Sequence, residues 1–153
     1  MHPTFKKLQL KDQTPLLIWA VPDEFVTVLE AVEEDTAVVR TPEPGSTYSF
    51  LLAFVRQPAD IEHFGACLTE LVADDALVWF AYPKKSSKRY RTEISRDNGW
   101  QPLGDLGYEA VRQVALDGDW SALRFRKAEH IGKMTRRKSF AMSAKGKAKT
   151  SGS

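Results

Sequence analysis

The chain has 153 residues, 42% hydrophobic and 27% charged, with a formal net charge of +2 and one cysteine, Cys67. These values describe one ordinary globular domain and exclude a disulfide framework, a multi-cysteine zinc site and a bilayer-spanning run of about 20 apolar residues. The opening Met1-His2-Pro3-Thr4-Phe5-Lys6-Lys7 has no apolar stretch behind it, so the expected location is cytoplasmic and no membrane partner is expected.

Charge is unevenly placed. Residues 126–153 carry nine Lys/Arg against one acid, Glu129, a net of +8; residues 1–125 carry the other 13 bases and 19 acids, a net of −6. The expected organisation is a single α/β domain over 1–128 and a basic tail over 129–153. The tail is small, polar and cationic, with too little apolar area to offset ordering entropy, and is expected to be disordered. Its cations would give weak, sequence-blind attraction to nucleic acid.

In chain order, residues 16–21 (Leu-Leu-Ile-Trp-Ala-Val) form an unbroken apolar run between Pro15 and Pro22, the pattern of a strand buried on both faces. Asp23 is placed to cap a helix through Glu33, with Phe25, Val28, Leu29 and Val32 on its apolar face. Residues 36–41 read as a short strand, ended by Pro42-Glu43-Pro44-Gly45. A second apolar run covers 48–55. From 59 to 73 the helical period returns, with Ile61, Phe64, Leu68, Leu71 and Val72 on one face. Residues 76–82 are the third long apolar run, stopped by Pro83, and 84–91 are a basic loop. Ser95 is placed to cap a turn or short helix, and Gly107 to stop one. Residues 109–116 read as a strand and Asp117-Gly118-Asp119 as a turn. Residues 121–127 read as an antiparallel edge strand with Arg124 and Arg126 on its wet face. Alternating strands and helices with continuous apolar strands predict a three-layer α/β/α sandwich. Its sheet is mostly parallel and Rossmann-like, with a C-terminal antiparallel hairpin.

In open sheets of this kind, ligands bind beyond the carboxyl ends of the strands. The turn after the first strand, Ala20-Val21-Pro22-Asp23-Glu24, has no glycine and two acids, which disfavours a dinucleotide or nucleotide cofactor; none is expected. Asp23 and Glu24 read as helix N-terminal residues matched to the macrodipole. After the third long strand, Lys84, Lys85, Ser86 and Ser87, followed by Arg91, Arg96 and Trp100, are the anion-binding candidates, with Trp100 or Tyr90 as a stacking face. Trp19 and Trp79 read as core, while Trp100 and Trp120 lie in or beside loops. None of His2, His63 and His130 has a second ligand at metal spacing, so no metal is expected. Cys67 reads as a structural thiol and Asp117 and Asp119 as turn formers. No complete catalytic constellation is visible.

The stretches Val-Trp-Phe-Ala-Tyr-Pro-Lys-Lys (78–85), Ser-Arg-Asp (95–97), Val-Arg-Gln-Val-Ala-Leu-Asp (111–117) and Trp-Ser-Ala-Leu-Arg-Phe-Arg (120–126) resemble a bacterial family of small α/β proteins known only as a domain of unknown function. The segment Leu-Leu-Ile-Trp-Ala-Val-Pro-Asp-Glu-Phe (16–25) is similar to that family's opening strand and turn, and the resemblance covers residues 4–128. It implies the fold and no residue roles. The strand–helix–strand segment over 48–82 also resembles the second half of a class I methyltransferase, as architecture. The functional expectation is a non-enzymatic module that binds an anionic small molecule or partner through the loop after residues 76–82. One alternative is a small enzyme acting on a phosphorylated or carboxylated metabolite, with Lys84 or Lys85 on the anion and Arg96 and Asp97 near the reaction. Another is weak nucleic-acid association through the tail. The oligomeric state is left open.

Overall fold

A computed structural model of the chain describes residues 2–131, so the tail expected from 129 onward lies, from residue 132, outside the described residues. Six strands form one sheet in the order β2-β1-β3-β4-β6-β5. They are β1 (Leu16–Trp19), β2 (Val38–Val39), β3 (Tyr48–Phe54), β4 (Val72–Pro83), β5 (Tyr108–Ala115) and β6 (Trp120–Lys127). The first four pair in parallel, and β6 runs antiparallel between β4 and β5. The helices are α1 (Pro3–Lys7), α2 (Val26–Glu33), α3 (Pro58–Leu71) and α4 (Gln101–Asp105). No helix of the described residues is long and apolar enough to cross a membrane.

The layers follow from strand alternation. Leu17, Leu51, Val78 and Phe125 lie side by side across the sheet and pack with Ile61, Phe64 and Leu68 of α3 and Leu103 of α4. Their neighbours Ile18, Leu52 and Trp79 point to the other face and join Phe5 and Leu8 from the α1 region and Leu29 and Val32 of α2. This is the predicted three-layer sandwich with a C-terminal antiparallel hairpin. The indole of the fully buried Trp79 donates to the Leu8 carbonyl at 3.0 Å, fastening the N-terminal segment to the sheet centre.

Several elements differ from expectation. β1 stops at Trp19 because Ala20 turns into the left-handed region at φ 59°. Asp23–Phe25 form a 3-10 turn before α2, so the helix proper starts at Val26. α3 ends at Leu71, and β4 begins at once at Val72; an irregularity follows, since Tyr48 faces Val72 while Phe50 faces Leu77. Asp75, at φ 51°, sits in that irregular stretch and receives Arg126 through Nε at 2.8 Å and Nη2 at 2.6 Å. β6 is an inner strand and β5 is the edge, the reverse of the expected placement. Trp120, Ala122, Leu123 and Phe125 are all fully buried, so β6 has apolar contacts on both faces. Its Arg124 reaches Gln9 Oε1 at 3.0 Å, and Arg126 is matched by Asp75.

Phe80 is fully buried, with its ring edge-on to Trp100 at 6.0 Å and to Phe125 at 5.8 Å. Phe80→Ala should therefore lower unfolding free energy by about 3–5 kcal/mol, read from urea denaturation. A loss below about 1 kcal/mol would mean that this face of the sheet is not the core.

Candidate functional site

β4 delivers the chain to the site. Beyond Pro83 the ladder runs one bond further, Lys84 N–H donating to the Asp119 carbonyl at 2.8 Å, and the chain then turns, with Ser87 N–H donating to the Lys84 carbonyl at 3.0 Å. Ser87 Oγ donates to Asp119 Oδ1 at 2.8 Å and accepts from the amides of Arg89 and Tyr90 at 3.2 and 3.1 Å. Ser87 is thus a staple within the loop.

Glu24 holds the next turn. Its Oε2 accepts from Tyr90 Oη at 2.5 Å and from Trp120 Nε1 at 2.9 Å, and its Oε1 meets Arg89 at 3.5 Å. The Tyr90 ring packs on Trp120 at 5.0 Å, and the Arg56 guanidinium lies over its other side at 5.2 Å. Burial pushes the Glu24 carboxyl up, but the hydrogen bonds from Tyr90 and Trp120 and the charge of Arg89 outweigh it, and the net shift is downward. The Tyr90 hydroxyl is pushed up, by burial and then by Glu24. Glu24, read from sequence as a dipole partner of its own helix, is the clamp between the first β–α turn and the basic loop.

A second segment, 92–100, is locked over the same end of the sheet. Ile94 is buried, Trp100 Nε1 donates to the Ser95 carbonyl at 2.7 Å, and Asn98 Nδ2 donates to the Glu93 carbonyl at 2.7 Å. Gly99 is at φ 105°, and an added Cβ would sit 3.4 Å from Ile61, so the turn needs glycine. These bonds leave Arg96 and Asp97 at the exposed tip.

Two cavities result. One, of about 260 Å³, is lined by Tyr82, Lys84, Lys85, Ser95, Arg96, Asp97, Gln113 and Ser121. The other, of about 500 Å³, shares Lys84 and Lys85 and is closed by Ser87, Lys88, Tyr90, Arg91, Thr92 and Ile94. In the first, Gln113 Nε2 donates to Tyr82 Oη at 2.8 Å. Burial raises the Tyr82 hydroxyl, with Arg96 and Asp97 exerting opposing influence, so it stays a neutral phenol.

The structure therefore brings Lys84, Lys85 and Arg96 to one cavity, and Lys84, Lys85, Ser87 and Arg91 to its neighbour. Ser86 lines neither. Trp100 is 2% exposed, packed against Tyr82 at 5.5 Å and Phe125 at 5.1 Å; it is core beneath the site and offers no stacking face. Trp120 is likewise buried, and Trp19, expected as core, is half-buried beside Phe64 at 4.3 Å. Tyr82, Gln113, Ser121, Asp119 and Glu24 were missed as site residues. Strand alternation alone could have put Gln113 and Tyr82 on one face once β6 was known to lie between them.

A third cavity, about 260 Å³, opens at the amino end of β4 near Asp74, Asp75, Tyr108, Lys127 and His130. There Arg126 pairs with Asp75, His130 Nε2 lies 2.9 Å from Asp74 Oδ1, and the Lys127 ammonium lies over the Tyr108 ring at 5.4 Å. Burial, then Glu129, pushes Tyr108 up to about 12. Among the described residues, no group of three or more His, Cys, Asp and Glu is placed to hold a metal.

No protein-family model matches the chain, and no curated protein matches it. Among solved structures it is similar to the ribosomal protein L11 methylase of Lactobacillus delbrueckii subsp. bulgaricus, at 16% identity and a TM-score of 0.44, covering 73% of this chain and 58% of that one. It is similar to a protein assigned as a type 11 methyltransferase from Sulfolobus solfataricus, at 10% identity and a TM-score of 0.47, covering 79% and 76%. It is also similar to the Methanococcus jannaschii fibrillarin pre-rRNA processing protein, at 12% and 0.42, covering 72% and 55%. The chain thus spans little more than half the length of the first and third.

The residues present do not fit an adenosyl cofactor at the carboxyl ends of β1 and β3. The turn there carries the Ala20 and Val21 side chains and Pro22, which has no N–H. Asp60, which with Ala20, Val21 and Phe54 lines a cavity of about 380 Å³ there, spends Oδ2 on the amides of Arg56 at 2.9 Å and Gln57 at 3.1 Å.

Glu24→Ala would leave the buried Trp120 indole N–H without its acceptor and should cost about 1–3 kcal/mol at pH 7. Because the folded carboxyl titrates below its ordinary value of 4.5, this advantage is complete above that pH and fades as pH falls below it. Denaturation of both proteins from pH 7 to pH 3 checks this: the gap should close on the acid side, and a gap that widened there would contradict the clamp. The expectation of a non-enzymatic module is also corrected at this point. The similar solved structures include proteins named for methyl transfer.

Proposed function

We propose that this protein is a small enzyme acting on a metabolite that carries a phosphate or carboxylate, with the cavity at the carboxyl end of β4 as the substrate site. The supporting observation is convergence. Lys84 and Lys85 come from one segment and Arg96 from another, and they meet around one cavity whose other polar groups are Tyr82, Gln113, Ser121 and Asp97. In this reading Lys84 and Lys85 hold the anionic group as point charges, and Arg96 fixes its orientation through paired N–H donors. A wall built only to hold an anion gains nothing from a carboxylate. Asp97 in the same wall fits a group that accepts a proton from the bound substrate. Tyr82, neutral and anchored by Gln113, supplies a hydroxyl of fixed position.

The test is a thermal-shift screen of phosphorylated and carboxylated metabolites, followed by product analysis for every hit. A ligand at 100 times its dissociation constant adds about 2.7 kcal/mol, a shift of several degrees. Lys84→Ala with Lys85→Ala should abolish the shift while leaving the unliganded melting temperature nearly unchanged, because neither side chain is buried. Asp97→Asn should retain the shift and lose turnover. Hits that bind but are never converted would contradict the enzymatic reading. A double variant that no longer folds would contradict the placement of the lysines.

A further inference from the structure

The basic loop does not treat its cations alike. Arg89 is neutralised twice, by Glu24 at 3.5 Å and by Asp119 at 4.0 Å. Among the described residues, Lys84, Lys85, Lys88 and Arg91 make no side-chain ion pair. These four line the cavity of about 500 Å³, which shares Lys84 and Lys85 with the substrate cavity. The loop is not free to splay them apart. Ser87 is stapled to Asp119 at 2.8 Å and Tyr90 is tied to Glu24, so the backbone carrying the cations is held at both turns. Like charges lining one cavity without counter-charge favour a bound anion, and the larger cavity has room for a second anionic group beyond the one at Arg96.

Resting on the substrate site proposed above, we infer that the ligand is a small molecule with two separated anionic groups, of the bisphosphate or phosphate–carboxylate class. One group lies between Lys84, Lys85 and Arg96, and the other between Lys85, Lys88 and Arg91. Lys84 and Lys85 line both cavities and serve both ends of the ligand.

The experiment uses the whole chain and a defined probe series: inorganic phosphate, a propyl monophosphate, and bisphosphates of linear diols from three to six carbons, measured by calorimetry at constant ionic strength. The expected result is that at least one bisphosphate binds tighter than propyl phosphate by about tenfold or more, since the second group binds at high effective concentration. Lys88→Ala with Arg91→Ala should bring the two affinities to within about twofold of each other. If propyl phosphate binds and no bisphosphate improves on it, the two-anion ligand is overturned and the substrate site stands. If no phosphate binds, both fall. A short single-stranded DNA that binds more tightly than every bisphosphate would overturn the small-molecule assignment.

Discussion

The carboxylate of Glu24 is the constraint on which the arrangement at the carboxyl end of the sheet depends. It stands in the turn between β1 and α2, yet its partners, Tyr90 and Trp120, lie 66 and 96 positions away. An ionised carboxylate that accepts two side-chain donors and faces a guanidinium offsets its own partial burial, which explains why its proton is lost more readily than usual. By fastening Tyr90 and covering Trp120, it fixes where the basic loop leaves the sheet. The cavities beside Lys84 and Lys85 therefore have defined walls.

Charge is handled differently at the two ends of β4. At the amino end, Asp74 and Asp75 are displaced by the irregular pairing with β3 and each meets a basic partner. At the carboxyl end Arg89 is matched, while among the described residues Lys84, Lys85, Lys88 and Arg91 make no side-chain ion pair. Unmatched cations on a stapled loop favour the bound anion that the proposed function requires. That contrast, more than cavity size, is why the substrate site is proposed at the carboxyl end of β4 rather than at the amino end.

Much of this fold was legible in the sequence because its strands are buried on both faces. The unbroken apolar runs over 16–21, 48–55 and 76–82 mark β1, β3 and β4, and the helical period of 59–73 marks α3. What was not legible depends on non-local partners. Strand order in a sheet is decided by hydrogen bonds between distant segments, so Arg124 and Arg126 made β6 look like an edge although Gln9 and Asp75 absorb them. Trp100 and Trp120 sit among polar neighbours, and only tertiary packing shows them fully enclosed. The cationic candidates Lys84, Lys85, Arg91 and Arg96 were visible as a charge run at the expected edge. Their division between two cavities, and the removal of Ser87 and Trp100 to structural tasks, follow from contacts that no local pattern encodes.

The claim at the centre of this account is that the lysine-lined end of the sheet holds an anion. Two-dimensional amide NMR during titration with inorganic phosphate tests it most directly. The account predicts saturable shifts confined to residues near 82–97, 113 and 121, with the amino end of β4 silent. Shifts that never saturate, or that spread over every exposed basic residue including Arg40 and Lys127, would show ordinary ionic atmosphere and contradict it.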